Sequence, residues 1–385
     1  MTTARPAAPP RLPDTEFFTA DDVLHHSGDR LLLDRALRRG EAVRVCRGVY
    51  ARSRPDGDVK RHRQLVRAVF GRPGHTGAVG GVSAALLHGL STGLGAVPAT
   101  VTVLRPGGGG PTADIDLVAT RLPASHLCEV DGLPVSTLAR TVVDVTRRED
   151  PGSLTGLVVT DSALRASADP EGLRRDCETV LQDLRGCTGL ARTRSVLREA
   201  TPHSAGPTET VSRALLQQMG IPTPLLDVTY RWDPADPADD TGPHEPVGIA
   251  PGAPFGSVSL TSSATSSATS SAATVVVPFS WPDVHVLGVV LDRPVAEDGV
   301  PSGWSGDRDS WVAGPRRFLR RCGWVVVEWS PEDLADPWPL SQRLTRIMRE
   351  LYGGPVGPYG WARDHPALRP QWSPTGWRGE PYPDR

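Results

Sequence analysis

Lysine is almost missing from the 385-residue chain: Lys60 stands alone among 42 basic residues, and the rest are arginine. So strong a bias weakens any inference from a single arginine, but not from a cluster of them. Cysteine is scarce as well. Cys46, Cys128, Cys177, Cys187 and Cys322 are odd in number and form no CxxC pair, which argues against a disulfide framework and against a zinc site. No window reaches the roughly 18 uninterrupted apolar residues that a membrane span needs, and the opening MTTARPAAPPRLPD lacks the apolar stretch of a secretory leader. The expectation is a cytoplasmic protein with no membrane partner. Apolar residues make up only 38% of the chain, and Gly and Pro number 40 and 38, so the cores must be modest and part of the chain is loop. No GxSxG nucleophile motif occurs, and the glycine run 107–110 lacks the GKS/T that would grip a phosphate.

What is present is unevenly distributed. Between Arg30 and Arg72 there are thirteen Arg/Lys against four Asp/Glu, so the rest of the chain must hold about eleven net negative charges to reach the total of −2. A basic head on an acidic body points to an anionic partner for the head, nucleic acid being the commonest. All ten tryptophans lie at or beyond Trp232, a break that predicts a separate C-terminal domain.

Chain punctuation divides the sequence further. Residues 1–16 are Pro/Ala-rich and expected to be disordered. Thr19 with Asp21 and Asp22 reads as a helix start, stopping near Gly28; Asp29 is expected to cap a second helix that runs to Gly40. AVRVCRGVYAR then alternates apolar and basic residues around Arg47-Gly48, a β-hairpin signature. Helix, helix, basic hairpin over 17–57 is the order of the second half of a winged helix-turn-helix. An α+β region follows over 58–150, with Ser83 and Ser136 expected as helix caps, then a helical connector over 151–200. A C-terminal domain over 207–352 reads helix, strand, strand, strand, helix, strand, helix. Within it, 233–274 lacks apolar periodicity and is expected to be a disordered loop, because LLDVTYRW before it needs a partner strand and VVVPFSW after it supplies one. A Pro/Trp-rich tail covers 353–385. The fold class expected is α/β multidomain.

The second helix carries the chemistry of interest. On a wheel of about 100° per residue, Leu32, Leu33, Ala36 and Leu37 share one arc, while Arg30, Asp34, Arg35, Arg38 and Arg39 share the other, with Leu31 out of place. An α-helix fits the B-DNA major groove, and arginine pairs with guanine or clamps phosphate. Arg44, Arg47 and Arg52 of the hairpin are placed to reach an adjacent backbone as a wing would. The seven DNA-binding candidates are therefore Arg30, Arg35, Arg38, Arg39, Arg44, Arg47 and Arg52.

With FTADDVL and LLLDRALRRGEAVRVCRGVYA, followed by VSAALLHGL and LPVSTLARTVVDVTRR, the stretch 17–200 resembles the AbiEi-type antitoxins of type IV toxin–antitoxin systems, in their large actinobacterial form. The resemblance implies a winged helix that binds duplex DNA and represses its own operon. It also implies a nucleotidyltransferase-like toxin, countered without a stable complex. Leu31 and Asp34 depart from the family by standing where polar or basic residues are more usual on the groove-facing side. The stretch 207–352, with TETVSRALLQQMGIPTP, FSWPD and RRFLRRCGWVVVEWSPEDL, is similar to the very-short-patch-repair endonucleases, whose restriction-endonuclease-like fold holds Mg²⁺ through Asp and Glu on central strands. Here the positions that the resemblance assigns to those ligands are Pro278 and Val289, which cannot coordinate a hard cation. The expectation is a nuclease fold without catalysis, metal or cofactor. The competing reading is a Mg²⁺-dependent endonuclease using Glu209 and Asp292; a third is a protein-interaction module built on the Trp-rich tail.

Weaker constellations read as structural. Asp114 and Asp116 resemble a DxD metal motif but fit a solvated strand face, His88 fits a partly buried hydrogen-bonded histidine, and Thr160-Asp161-Ser162 fits a helix surface.

Overall fold

The computed structural model describes residues 11–72, 76–94, 97–107, 110–150, 152–232, 273–291, 316, 319, 320 and 323–352. Among these the chain is mixed α/β, with ten α-helices and three sheets. Several expectations fall outside the described residues: the first ten residues of the N-terminal tail, most of the 233–274 insert, most of a helix expected near 310–321, Asp292, and the tail 353–385. The chain forms two compact units, Met1–Arg148 with Glu171–Ser195, and Glu149–Pro170 with Val196–Arg385. The stretch read as a helical connector thus divides between them.

The first unit opens with α1 (Ala20–Ser27) and α2 (Leu32–Arg39), then a hairpin of β1 (Val43–Cys46) and β2 (Val49–Ala51). Thr19 starts α1 with a capping box: its hydroxyl accepts from Asp22 N at 3.1 Å, and the Asp22 carboxylate accepts from Thr19 N at 2.7 Å. Asp29 does not cap α2 from the expected position. The helix begins at Leu32 with Leu31 as its N-cap, and Asp29 closes the preceding turn by accepting from Leu31 N at 2.8 Å. At the other end Glu41 N donates back to Ala36 O at 2.9 Å, turning the chain out of α2 and into the hairpin.

A five-stranded sheet follows, in the order β5 (Ile115–Ala119), β4 (Val101–Arg105), β3 (Ala78–Val79), β7 (Leu133–Ser136), β6 (Leu127–Val130). Helices α3 (Asp58–Phe70), α4 (Gly81–Leu87) and α5 (Leu138–Arg148) accompany it, α3 packing on β1 and β4 and α4 on α5. Two caps differ from expectation. Gly80 precedes α4, while Ser83 lies inside the helix with its hydroxyl bound to His62 and Thr102 N; Thr137 caps α5, accepting from Arg140 N at 3.3 Å, while Ser136 bonds Thr141. In both cases the hydroxyl is buried and claimed by another side chain, from a distant element for Ser83 and from the following helix for Ser136. The hairpin shares this core, since Cys46 and Val49 pack with Val66, Val79, Val101 and Val103.

In the second unit α6 (Thr155–Ala166) and α9 (Pro207–Gln218) precede a four-stranded sheet ordered β11 (Val325–Trp329), β10 (Val286–Val290), β9 (Ala273–Trp281), β8 (Leu225–Trp232), and α10 (Trp338–Tyr352) closes it. α7 (Pro170–Asp183) and α8 (Leu190–Glu199) lie between α6 and α9 in sequence, mostly in the first unit. β8 pairs antiparallel with β9 from Leu225↔Ser280 to Trp232↔Ala273, and β10 runs parallel to β11. Phe279, Trp281 and Trp329 pack with Leu215 and Leu216 of α9 and Leu344 of α10 on one face; Val277, Leu287, Val289 and Val326 pack with Leu319 and Trp324 on the other.

Candidate nucleic-acid interface

Helices α1 and α2 are held by a small core of Leu12, Phe18, Val23, Leu33, Ala36 and Ala42. Burying Leu33 and Ala36 fixes the rotation of α2, so that Arg38 and Arg39 face water. Phe18 extends the hairpin by one antiparallel bridge, exchanging both backbone hydrogen bonds with Tyr50 at 3.0 and 2.9 Å, and the two rings stack at 6.5 Å.

The seven arginine candidates do not share one state. Arg30, Arg38, Arg39, Arg44, Arg47 and Arg52 are exposed. Of these, Arg39 approaches Glu41 at 3.9 Å, and Arg44 Nε donates to Cys46 O at 3.3 Å. Arg30, Arg38 and Arg47 make no side-chain ion pair among the described residues. Arg35 is half-buried and paired with Asp29. Arg52 is turned onto the N-terminal segment, donating to Leu12 O at 2.9 Å and Pro13 O at 3.0 Å, with Asp14 at 3.6 Å.

The tip of the hairpin is anchored by residues that the sequence did not single out for this role. Arg47 N donates to Asp114 Oδ2 at 2.9 Å, and Arg72 donates to Cys46 Sγ at 3.1 Å and to Arg47 O, with its own guanidinium 4.0 Å from Asp114. Asp114 is therefore a tether between the hairpin and β5 more than a solvated strand residue. Asp116 pairs with Arg148 at 3.6 Å. With the turn held by its backbone, the Arg47 side chain stays free to project. Burial pushes the Cys46 thiol up, against the pull of Arg72.

His88 and His62 are each held by hydrogen bonds to other elements of the unit. His88 Nε2 lies 2.8 Å from Ser136 O. His62 Nδ1 donates to Pro98 O at 2.9 Å, so Nε2 is bare and accepts from Ser83 Oγ at 2.9 Å. That is the spacing of a nucleophile and its base, but both residues are buried and Ser83 also accepts from Thr102 N, so the pair pins α3 to α4 and β4.

In the second unit Pro278 and Val289, expected to stand in place of metal ligands, are both buried in strands, and Asp292 lies outside the described residues. Pro278 is buried in β9, and across the ladder from it stands Asp227, whose φ of 57° is left-handed. Around this point both strands switch faces: Leu226 and Phe279 join one cluster, Val228 and Val277 the other. The Asp227 carboxyl is pushed up by burial and lies 3.9 Å from Arg165. Val289 is packed against Leu287 and Val326 and registers with Glu328, which pairs with Arg316 at 2.7 Å. Glu209, in the first turn of α9, accepts from Ala205 N at 2.7 Å, a helix-capping role. No group of three or more His, Cys, Asp or Glu side chains is arranged to hold a metal ion among the described residues.

Thr160 and Asp161, expected on a surface, are instead buried. Asp161 accepts from Thr201 N at 2.7 Å, Thr210 Oγ1 at 2.9 Å and Arg213 Nη2 at 2.9 Å, joining α6 to α9; burial pushes its carboxyl up against these three donors. Arg213, lying 52 positions further along the chain, gave no local signal.

Compared with family models and with curated proteins, the chain matches none. No helix among the described residues is long and apolar enough to cross a membrane.

Proposed function

We propose that this protein is a duplex-DNA-binding regulator of the antitoxin-like kind, acting in the cytoplasm, with α1, α2 and the β1–β2 hairpin serving as a winged helix-turn-helix. The second unit, in this reading, has a nuclease-type fold that no longer catalyses. The observation that carries the proposal is the two-faced α2: its apolar side is sunk in a core with Ala36 fully buried, while Arg38 and Arg39 of the helix are exposed, as are Arg30 just before it and Arg44 and Arg47 of the hairpin that follows. Guanidinium groups left to water next to a tethered hairpin match a phosphate backbone in charge and in reach. The resemblance of 17–200 to the antitoxins supports the same assignment and implies a nucleotidyltransferase-like toxin as the functional counterpart.

The test is duplex binding by fluorescence anisotropy across a salt series. Removing two phosphate contacts with Arg38→Ala plus Arg47→Ala should weaken binding and flatten the log–log salt slope by about 1.8, at about 0.9 per contact. Arg35→Ala should do less, because that guanidinium is already paired with Asp29. A double variant that binds as the parent does at every salt concentration would overturn the proposal.

A further inference from the structure

The basic side of α2 contains two residues that phosphate binding does not explain. Leu31, at the N-cap, is 60% exposed and stays outside the apolar cluster that takes Leu32, Leu33, Ala36 and Leu37. Asp34 is exposed, and although Arg30 and Arg38 stand four residues before and after it, it forms no ion pair with either among the described residues. Leu31, Asp34 and Arg38 follow each other at spacings of three and four, so they form one stripe along the helix. An apolar side chain adds nothing to a phosphate contact, and a carboxylate opposes one. In the major groove, however, both have partners: the thymine C5 methyl is the apolar group on the groove floor, and the cytosine N4 amino group donates to Asp or Glu. The N-terminal half of a groove-lying helix is the part that meets base edges.

We infer that the exposed stripe Leu31–Asp34 is the sequence-reading element of the protein, Leu31 covering a thymine methyl and Asp34 accepting from a neighbouring cytosine amino group, while the surrounding arginines hold the backbone. This rests on the DNA-binding reading above. It also gives Asp34 a second effect: its charge penalises duplexes that offer no amino donor, which sharpens selectivity at the expense of overall affinity.

The experiment takes the full chain and a pool of randomised 20-base-pair duplexes, enriches the bound fraction, and re-measures the enriched duplex with each thymine replaced singly by deoxyuridine. The parent should lose about fourfold in affinity at one thymine, the value of one buried methyl. Leu31→Ala should bind the two duplexes alike. Asp34→Ala should lose preference for the neighbouring cytosine by about fivefold or more while binding unrelated duplexes more tightly than the parent does. Both side chains are exposed, so circular dichroism should show the parent fold in each variant. If Leu31→Ala and Asp34→Ala enrich the parent's sequence with the parent's deoxyuridine sensitivity, the inference fails and the DNA-binding reading stands. It fails in the same way if the parent binds duplexes in a salt-dependent manner without enriching any sequence. If the parent binds no duplex, both fall together.

Discussion

Arg140 shows how far one side chain can organise a unit. It is fully buried, and its guanidinium donates to Asp144 Oδ2 at 2.6 Å, Arg121 O at 3.1 Å, His126 Nδ1 at 2.8 Å and Thr120 Oγ1 at 2.9 Å. A guanidinium has no acceptor, so His126 Nδ1 must be the bare nitrogen, and Nε2–H donates to Asp183 at 3.1 Å. Protonating His126 would set an N–H against the guanidinium. Burial first, and then the charge of Arg140, hold His126 below its ordinary value of 6.5. The unfolded chain therefore takes up this proton at higher pH than the folded one. The contribution to stability is fully present above the ordinary histidine range and is lost as pH falls below it. The urea midpoint of the parent should accordingly drop more between pH 7.5 and 5.5 than that of His126→Gln; parallel drops would refute the assignment. Arg140→Met should cost about 3 kcal/mol, because it leaves the buried Asp144 carboxylate with Arg147, at 2.8 Å, and without its partner inside the unit's core, measured by urea unfolding followed by circular dichroism.

At the scale of elements, some signals were plain and others were present but unread. The helix start at Thr19, the stop at Gly40 and the hairpin around Arg47-Gly48 were legible because each is local chemistry. The β6–β7 hairpin was legible in principle: Asp131-Gly132 takes φ of 51° and 74°, the left-handed pair that a tight two-residue turn requires and that Asp-Gly favours. Its strands are four residues each, too short for their alternation to stand out. Two-residue β3 gives no pattern at all; its place between β4 and β7 is decided by the sheet. In β10 the sequence LGVV hides a steric demand. A Cβ on Gly288 would collide with the Trp329 ring and lie 3.0 Å from Phe279 Cβ. Gly288→Ala should destabilise the second unit by about 1–3 kcal/mol through overpacking. Tryptophan fluorescence reads that unit selectively, since every tryptophan lies at or beyond Trp232, and an unchanged urea midpoint would contradict the packing argument.

For the whole molecule, the question is what each unit contributes. The first holds the basic cluster; in the second Pro278 and Val289 are buried in strands and Glu209 accepts from Ala205 N at a helix end, and the proposed reading is that this unit does not catalyse. Plasmid nicking with Mg²⁺ or Mn²⁺ should therefore stay at the level of the protein-free control. Glu209→Ala should lower stability by about 1 kcal/mol, since Ala205 N loses its acceptor. Metal-dependent nicking that disappears in Glu209→Ala would restore the endonuclease reading.

The sequence by itself determined the helices and most strands, the two-sided character of α2 and the clustering of arginine, because periodicity, caps and charge are written in neighbouring residues. Tertiary structure alone decided which of those arginines remain available and which are tied to Asp29 or the N-terminal segment. It also decided that Asp114 tethers the hairpin and that Asp161 is buried against Arg213. Those outcomes depend on side chains brought together from distant stretches, where distance and competition for partners select the pairing.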